Sequence, residues 1–218
     1  MGSGGAGAKP HLLLLLLLLL HLSSVIASSA EPEAVKVKVL VFYESLCPDS
    51  RRFILNQLYP AWPDLKNITE LDIYSYGKAV EYGEGADYNH KCQHGYRECQ
   101  ANTMLTCAKK YINDSDQFLD FARCVMYRFS GIDSGPVCAN ETCVEWSGIE
   151  KCYSGQEGHL LQHQVGLLQA TLQPRLDYVP WILINNKFTR EQLTAAQEDL
   201  RTAVCEAYQG TKPSSCQT

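Results

Sequence analysis

The pattern of apolar and polar positions predicts a β–α–β unit near the start of the chain. Residues 35–44 are rich in β-branched side chains and predict a buried strand. Residues 50–62 carry apolar side chains at helical spacing, which predicts a helix ending at Pro63. Residues 69–76 predict a second strand. Strand, helix and strand in this order normally form a parallel pair joined by a right-handed crossover.

The rest of the chain predicts a helical segment followed by a return to the sheet. Residues 77–91 are polar and contain glycine, so we expect a loop. We expect helices near residues 102–111, 116–127 and 158–172, among closely spaced cysteines. A last strand is predicted at 178–185, a turn at 185–187, and a closing helix at 189–208 whose first residue, Thr189, is its cap.

These elements divide the chain into four segments. Residues 1–30 are expected to be a leader, and residues 31–91 the first part of the main domain. Residues 92–172 are expected to form a disulfide-rich, mostly helical insertion. Residues 173–218 complete the main domain and add a tail that Cys205 and Cys216 hold in place.

The leader has the features of a secretory signal peptide. A leucine run from Leu12 to Leu20 follows Lys9 and precedes small residues at Ala27 and Ala30. This run is shorter than the roughly 20 residues of a spanning helix, and no later stretch is long and apolar enough to replace it. We therefore expect a secreted or lysosomal protein, cleaved near Ala30 and without a membrane anchor.

Composition supports passage through the secretory pathway. All ten cysteines follow residue 30, which suggests disulfides and an oxidising compartment. Three sequons predict N-glycosylation at Asn67, Asn113 and Asn140. The net charge is −5 and no basic cluster is interleaved with aromatic residues, so nucleic-acid binding is not expected.

The candidate chemistry lies at Cys47. This residue follows the first strand, and Pro48 occupies the first helical position, as in the thioredoxin-like α/β fold. A helix N-terminus favours the thiolate, the attacking species; Arg51 and Arg52 should add to this effect and Asp49 should oppose it. Ser50 stands where a disulfide oxidoreductase has its second cysteine. The alternative is that Cys47 is an ordinary structural half-cystine.

Val179–Pro180 is the second candidate feature. Thioredoxin-like folds place a cis proline beside the active cysteine, and the residue before it pairs with the substrate backbone. Val179 and Pro180 precede the last predicted strand, so both position and residue type fit. The alternative is a trans proline that simply opens a strand.

A third motif resembles a known family. Residues 92–107 read CQHGYRECQANTMLTC and match CQHG-x2-EC-x2-N-x4-C at each fixed position. This is the signature of the gamma-interferon-inducible lysosomal thiol reductase family, and the resemblance extends over nearly the whole chain after the leader. From the residues alone, the motif predicts a disulfide-tied turn entering a helix. A zinc site formed by Cys92, His94, Cys99 and Cys107 is the rival interpretation, but it lacks a paired C-x2-C. His94 is expected to be a structural or site-lining residue.

The resemblance implies an enzyme that reduces protein disulfides at acidic pH and contributes to host defence. The family's usual active site is C-x-x-C, so Cys47 is the expected nucleophile, with Ser50 beside it. A serine cannot resolve a mixed disulfide. We therefore expect a monothiol mechanism with an external thiol, such as cysteine or glutathione, and no other cofactor or metal. The alternatives are a redox-weak, thiol-trapping or chaperone-like binding protein, and a defence factor that has lost redox activity.

The remaining cysteines are expected to be largely structural. Eight of them are predicted to form disulfides: Cys92, Cys99, Cys107, Cys124, Cys138, Cys152, Cys205 and Cys216. Their connectivity does not follow from the sequence. Cys138 or Cys143 is the candidate for an unpaired residue or an interchain link, so both a monomer and a disulfide-linked dimer are consistent with the sequence. Disulfide-bonded or unfolded proteins are the expected partners.

Overall fold

The sheet at the centre of the fold is built around its first strand. A computed structural model describes residues 1, 2, 4, 34–83 and 88–217, so nearly all of the predicted signal peptide lies outside the described residues. The strands are β1 (Val37–Tyr43), β2 (Thr69–Ser75), β3 (Val80–Tyr82), β4 (Asn89–Lys91) and β5 (Trp181–Ile184). β1 lies between β2, to which it is parallel, and β5, to which it is antiparallel. β3 and β4 form a separate antiparallel hairpin.

Helical segments make up most of the remaining structure. The first run comprises α1 (Pro48–Phe53), a π-helical turn (Ile54–Leu58) and α2 (Tyr59–Leu65). The segment between the hairpin and β5 contains α3 (Tyr96–Tyr111), α4 (Ser115–Arg128), a 3-10 turn (Gly131–Ser134), α5 (Gly135–Glu141), α6 (Trp146–Tyr153) and α7 (Gln156–Ala170). The chain closes with α8 (Arg190–Glu198), α9 (Leu200–Ala207) and a 3-10 turn (Ser214–Cys216).

Residues alternate between the two faces of β1 and pack into two buried clusters. Val39 and Val41 belong to the larger cluster, together with Ile54 from the π-helical turn and side chains from α3, α4 and α9. Phe42 points the other way and packs with Trp181 of β5 and Val165 of α7. Helices therefore cover both faces of the sheet. Because successive side chains of a strand point to opposite faces, the position of each β1 residue decides which of the two clusters it joins.

Three predicted elements differ from the structure. The prediction of a loop at 77–91 is wrong, because short strands occur at both ends of that segment. The predicted end of the first helix at Pro63 is wrong, because the helix continues to Leu65. Ala61 and Leu65 lie one helical turn apart and are both buried, so packing of this face favours the extra turn. The closing helix is interrupted at Asp199, whose backbone is not helical and whose carboxylate accepts the Thr202 N–H as the cap of α9.

The predicted fold class is confirmed: this is an α/β, thioredoxin-like sheet with a mostly helical, disulfide-linked segment. The predicted Thr189 cap is also present, with its hydroxyl accepting the Gln192 N–H at 3.1 Å. Within the described residues, no helix is long and apolar enough to cross a membrane.

Candidate active site

Cys47 lies at the junction that its sequence context predicts. β1 ends at Tyr43, and a turn closed by a hydrogen bond from Cys47 N–H to Glu44 O leads into α1. Cys47 is the N-cap of α1, and its carbonyl accepts the Arg51 N–H at 2.9 Å. Its thiol is free and only 7% of the residue is exposed. Cys47 is thus presented at the start of a helix, the position that the sequence predicts for the nucleophile.

The segment before β5 supplies the surface facing the thiol. The Val179–Pro180 peptide bond is cis. The Sγ atom of Cys47 lies 3.9 Å from the carbonyl oxygen of Val179, the acceptor of its S–H group. This contact joins residues 132 positions apart and follows from the pairing of β5 with β1.

Ser50 lies within the first turn after Cys47 and is fully buried. Its Oγ accepts the backbone N–H of Glu44 at 3.2 Å, which ties α1 to the end of β1. A hydroxyl that accepts one hydrogen bond keeps its own proton for donation. Ser50 therefore stabilises the turn that carries Cys47 and retains a donor proton for a second partner.

Arg51 and Arg52 of α1 form hydrogen bonds and an ion pair with groups other than the Cys47 thiol. Arg51 donates from Nε to Met126 O at 3.0 Å and from Nη2 to Tyr127 O at 3.2 Å, and so docks α1 against the end of α4. Arg52 pairs with Asp49 at 2.7 Å on the exposed face of α1. Arg51 keeps its positive charge in α1, because its partners are neutral carbonyls, whereas Arg52 and Asp49 neutralise each other.

The 92–107 motif wraps around the turn before Cys47. The Cys92–Cys99 disulfide closes the bend at Gly95, whose φ of +86° favours glycine. Glu98 and Asn102 lie one helical turn apart on α3 and face the turn, which they hold by three contacts. Asn102 Oδ1 accepts the Ser45 N–H at 2.9 Å, and Glu98 Oε2 accepts the Leu46 N–H at 3.3 Å. In the third contact, Ser45 Oγ donates to Glu98 O. Ser75 Oγ, at the end of β2, donates to Asn102 O and so ties α3 to the sheet as well.

A cluster of ionisable groups lies beside this turn. His94 Nδ1 is 2.6 Å from Glu98 Oε2 and 3.5 Å from Glu44 Oε2. Burial raises the pKa of the Glu44 carboxyl, the charge of Glu98 raises it further, and the backbone N–H of Lys78 opposes the shift. Sequence reasoning placed His94 correctly at the site lining but did not identify Glu44, Glu98 or Asn102. The available signal was the i, i+4 spacing of Glu98 and Asn102 inside the motif.

The positions of the motif cysteines and of the neighbouring carboxylates bear on the zinc interpretation. Of the four residues in the zinc interpretation, Cys92 and Cys99 are bonded to each other and Cys107 is bonded to Cys152. They therefore offer no thiolate ligands. Donor atoms of Glu44, His94 and Glu98 lie within 4.8 Å of one another. The 2.6 Å separation of His94 and Glu98 is that of a hydrogen bond, whereas two ligands of one Zn²⁺ stand about 3 Å apart.

All ten cysteines fall within the described residues. The structure pairs eight of them, the ones expected to be structural, in four disulfides: Cys92–Cys99, Cys107–Cys152, Cys124–Cys138 and Cys205–Cys216. The last of these joins the tail to α9. Besides Cys47, the free cysteine is Cys143, which is exposed between α5 and α6. Of the two candidates for the unpaired residue, the structure thus leaves Cys143 free.

The three sequon asparagines are exposed. Asn67 and Asn113 line one cleft beside Thr69, the first residue of β2. Cys47 follows the opposite end of the β1–β2 pair. Asn140 lies on α5. Sugars on Asn67 and Asn113 would therefore sit away from the thiol.

A cavity of about 270 Å³ opens between α1 and α8, next to the thiol-bearing turn. Its lining combines both signs of charge, neutral polar groups and one phenylalanine: Asp49, Arg52, Phe53, Tyr178, Thr194, Gln197 and Glu198. Asp49 is two residues from Cys47, and Tyr178 precedes Val179. The cavity therefore adjoins both halves of the candidate site.

Comparisons with known proteins agree with this arrangement. The family model for "Gamma interferon inducible lysosomal thiol reductase (GILT)" matches residues 38–145. A gamma-interferon-inducible lysosomal thiol reductase from Carassius auratus is 34% identical over 185 residues, covering 84% of this chain and 73% of the relative. The Mus musculus protein of the same name is 32% identical over 191 residues, with 85% and 73% covered.

A plant relative and a solved structure extend the comparison. A gamma-interferon-responsive lysosomal thiol protein from Arabidopsis thaliana is 34% identical over 188 residues, covering 83% of this chain and 76% of the relative. Among solved structures, MdbA, a thiol-disulfide oxidoreductase from Corynebacterium diphtheriae, superposes with a TM-score of 0.50 at 14% identity, over 79% of this chain and 85% of that one. This likeness concerns the fold. The chain belongs to the gamma-interferon-inducible lysosomal thiol reductase family, a family of thiol–disulfide oxidoreductases.

Proposed function

We propose that this oxidoreductase reduces protein disulfides by a monothiol mechanism, with Cys47 as the nucleophile and an outside thiol as the second reactant. The observation that carries the proposal is the placement of Cys47: a free thiol at the N-cap of α1, 3.9 Å from the Val179 carbonyl, with Ser50 one turn away. This arrangement retains the attacking group and lacks a resolving one.

The proposed cycle consumes two outside thiols for each disulfide. The Cys47 thiolate attacks one sulfur of the substrate disulfide, which forms a mixed disulfide and releases the other sulfur as a thiolate. An outside thiolate then attacks Sγ of Cys47 and releases the second substrate thiol. A second outside thiolate attacks the sulfur of the first one in the resulting mixed disulfide, which yields a small-molecule disulfide and regenerates the Cys47 thiolate. The released substrate thiolates take up protons from solvent.

Two neighbours would support the first step. Ser50 keeps a hydroxyl proton that it can donate to the Cys47 thiolate, while its Oγ continues to accept the Glu44 N–H. Val179 and Pro180 would bind the substrate backbone next to the reacting sulfur. The cavity formed between Arg52, Glu198 and their neighbours would admit the small thiol close to Cys47.

Cys143 is badly placed to act as a resolving cysteine. Its carbonyl accepts a hydrogen bond from Gln117 near the start of α4, whereas Arg51 docks α1 at Met126 near the end of α4. Nine residues of helix span about 14 Å at 1.5 Å per residue. The outside thiol, rather than Cys143, would therefore resolve the mixed disulfide, and Cys143 is left as the candidate link of a disulfide-bonded dimer.

The setting of the reaction follows from family membership and from the expected leader. We place the protein in the secretory pathway, in the lysosome or outside the cell, acting at acidic pH on disulfide-bonded or unfolded proteins. A contribution to host defence belongs to the same proposal. Glycosylation at Asn67, Asn113 and Asn140 belongs to this setting, and sugars on the first two would leave the approach to Cys47 open, because those residues lie at the far end of the parallel strand pair.

A second function is favoured by one observation, the buried serine at position 50. Without an intramolecular resolving thiol, the mixed disulfide is long-lived wherever small thiols are scarce. In such a compartment the protein would act as a covalent trap or a chaperone-like binding protein.

The two functions separate in a steady-state assay near pH 5. The reduced protein is mixed with a disulfide-bonded substrate and increasing free cysteine, and Cys47→Ser is the control. We expect turnover that requires Cys47 and increases with free cysteine. A persistent mixed disulfide at every cysteine concentration would establish the trap. Turnover that survives Cys47→Ser would overturn the assignment of the nucleophile.

A further inference from the structure

Two exposed aromatic side chains mark the end of α4, next to the helix that begins after Cys47. Tyr127 is 64% exposed and Phe129 is 36% exposed. Phe129 is the C-cap of α4, and its φ of +53° places its backbone in the left-handed region. Glycine is the usual residue in this conformation at a helix end, and a bulky side chain there is an outlier. The chain therefore carries a large, partly exposed ring at a position where the backbone favours a residue without one.

Arg51 connects this end of α4 to the helix that carries the thiol. Its Nε donates to Met126 O and its Nη2 to Tyr127 O, and its guanidinium carbon lies 5.4 Å from the centre of the Phe129 ring. A guanidinium within about 6 Å of an aromatic face attracts the ring. Because three contacts from one side chain converge here, the Phe129 ring is held in a defined position although it is partly exposed.

The Phe129 ring lies on the side of α1 that carries the thiol. Cys47 O accepts the Arg51 N–H, so these two residues stand one helical turn apart on the same face. The Cβ atoms of such a pair are about 5–6 Å apart, and helical side chains lean towards the N-terminus of their helix. The Arg51 side chain therefore leans towards Cys47, and it places the Phe129 ring beside the approach to the thiol.

The loop that follows α4 is fixed to the other helix that holds the nucleophile turn. Ser130 O accepts a hydrogen bond from Arg97 Nη2 at 3.1 Å. The next residue of α3 is Glu98, whose carboxylate accepts the Leu46 N–H. Residues 127–130 therefore bridge α1 and the start of α3, the two helices between which the thiol-bearing turn is held.

The two flanks of the thiol differ in chemistry. The cavity between α1 and α8 has a lining that is mainly charged or polar. The α4 flank offers aromatic rings and the guanidinium of Arg51, whose hydrogen-bond partners are neutral carbonyls. The chain neighbours of Cys47 are apolar as well: Leu46 is half-buried and Pro48 is exposed. Aromatic residues and arginine are the types enriched where one polypeptide binds another, so the α4 flank has the composition of a polypeptide-binding surface.

We propose that Arg51, Tyr127 and Phe129 form a docking surface for the polypeptide substrate, here called the α4 ledge. Its occupant is an extended segment in which an aromatic or large aliphatic side chain next to the disulfide cysteine packs on the Phe129 ring. Folded proteins bury such side chains. The α4 ledge therefore selects disulfides in unfolded or partly unfolded chains. This inference rests on the proposed reductase function and adds the feature of the substrate that the site recognises.

The first test compares two disulfide-linked peptide dimers that differ at one position, with phenylalanine or serine beside the cysteine. With wild type and excess free cysteine near pH 5, we expect kcat/KM to be about tenfold higher for the phenylalanine peptide. Phe129→Asn removes the ring and keeps a residue type that tolerates the left-handed backbone. It should reduce the preference to about twofold or less and leave the rate with hydroxyethyl disulfide, a small substrate without an apolar side chain, unchanged.

The matched control is Tyr111→Asn, the loss of another exposed aromatic ring. Tyr111 ends α3, about 22 Å from the start of that helix at 1.5 Å per residue, so this variant should keep the tenfold preference. Equal kcat/KM values for the two peptides with wild type, or an unchanged preference in Phe129→Asn, would overturn the inference. An equal loss of the hydroxyethyl disulfide rate in Phe129→Asn would also overturn it, because the ring would then support the turn and not the substrate.

A binding measurement separates the α4 ledge from the catalytic cycle. A fluorescein-labelled peptide with serine in place of cysteine, and phenylalanine beside it, cannot form a mixed disulfide. In anisotropy titrations we expect Phe129→Asn and Tyr127→Ala to bind this peptide at least about fivefold more weakly than wild type. That result would support the ledge even if Cys47-dependent turnover were absent. Equal Kd values for the three proteins, or no binding by wild type, would overturn the ledge, while Cys47-dependent reduction of hydroxyethyl disulfide would still test the reductase.

Discussion

Ser50 Oγ accepts the backbone N–H of Glu44 at 3.2 Å inside the turn that carries Cys47. The residue at the position of a resolving cysteine thus serves as a structural acceptor, buried between the end of β1 and the start of α1. With serine at this position the site lacks a second reactive sulfur, but the turn that carries the Cys47 sulfur is still held in place by the Ser50 hydroxyl. This relationship connects the fold to the proposed monothiol chemistry.

Restoring the second thiol should accelerate turnover. In Ser50→Cys an intramolecular thiol replaces a bimolecular encounter, and we expect turnover at limiting free cysteine to rise about tenfold or more. The measurement is the initial rate of disulfide reduction near pH 5. Ser50→Ala is the matched control, because it removes the acceptor of the Glu44 N–H without adding a thiol. It should give no acceleration and lose about 1–3 kcal/mol of stability. Equal rates for Ser50→Cys and wild type would contradict the proposed bottleneck.

The hydrogen bond from Ser45 N–H to Asn102 should be important for both stability and activity. Asn102→Ala leaves this buried N–H without its 2.9 Å acceptor, at a cost of about 1–3 kcal/mol. We expect a lower denaturant midpoint and slower Cys47-dependent reduction. The control is Asn56→Ala, the same substitution at an exposed helical position, which should change stability by less than about 0.5 kcal/mol. An unchanged midpoint for Asn102→Ala would show that the contact to the turn is dispensable.

Glu44 should make folding stability depend on pH. Burial, followed by the charge of Glu98, raises the pKa of its carboxyl above the ordinary value of 4.5. The folded protein then holds this proton more tightly than the unfolded chain does. The contribution of Glu44 to the free energy of unfolding is therefore fully present below pH 4.5 and is lost as pH rises through the raised pKa.

Denaturant unfolding between pH 4 and 7 measures this effect. Wild type should lose more stability than Glu44→Gln as pH rises above the ordinary glutamate value, because the variant has no carboxyl to ionise. Parallel stability curves for the two proteins would rule out a strained, buried Glu44 carboxylate.

Cys143 should be reactive but irrelevant to catalysis. It is exposed and free, with a φ of +55°, in the connection between α5 and α6. We expect rapid alkylation of the native protein at Cys143, unchanged reductase turnover in Cys143→Ser, and loss of any disulfide-linked dimer in that variant. Non-reducing gels and the steady-state assay provide the readouts. A strong loss of turnover in Cys143→Ser would instead identify it as the resolving thiol.

The parts of the fold that the sequence predicts well are those encoded locally. The β-branched run of β1 and the proline after Cys47 specify a strand, a turn and a helix within about fifteen residues. The sequence does not predict the β3–β4 hairpin, because its strands are only three residues long and β4 is wholly polar. The break at Asp199 was missed because a single residue changes conformation within an otherwise helical pattern.

The site is only partly predictable, for a related reason. Cys47, Ser50, Val179 and Pro180 can be identified by their place relative to strands and helices. The cluster of Glu44, His94 and Glu98 depends on packing α3 against the end of β1, a contact between segments about 50 residues apart that no local pattern encodes. The partners of Arg51 are equally non-local, since they are carbonyls 75 and 76 residues away.

The most direct test of the monothiol account is a trapping experiment in the absence of small thiols. Reduced protein is mixed with a disulfide-bonded substrate near pH 5, quenched by acid, and analysed by intact-mass spectrometry. The account predicts one mixed disulfide per chain at Cys47, stable until free cysteine is added and then released as reduced substrate. Release of fully reduced substrate before cysteine is added, or no adduct at Cys47, would contradict it.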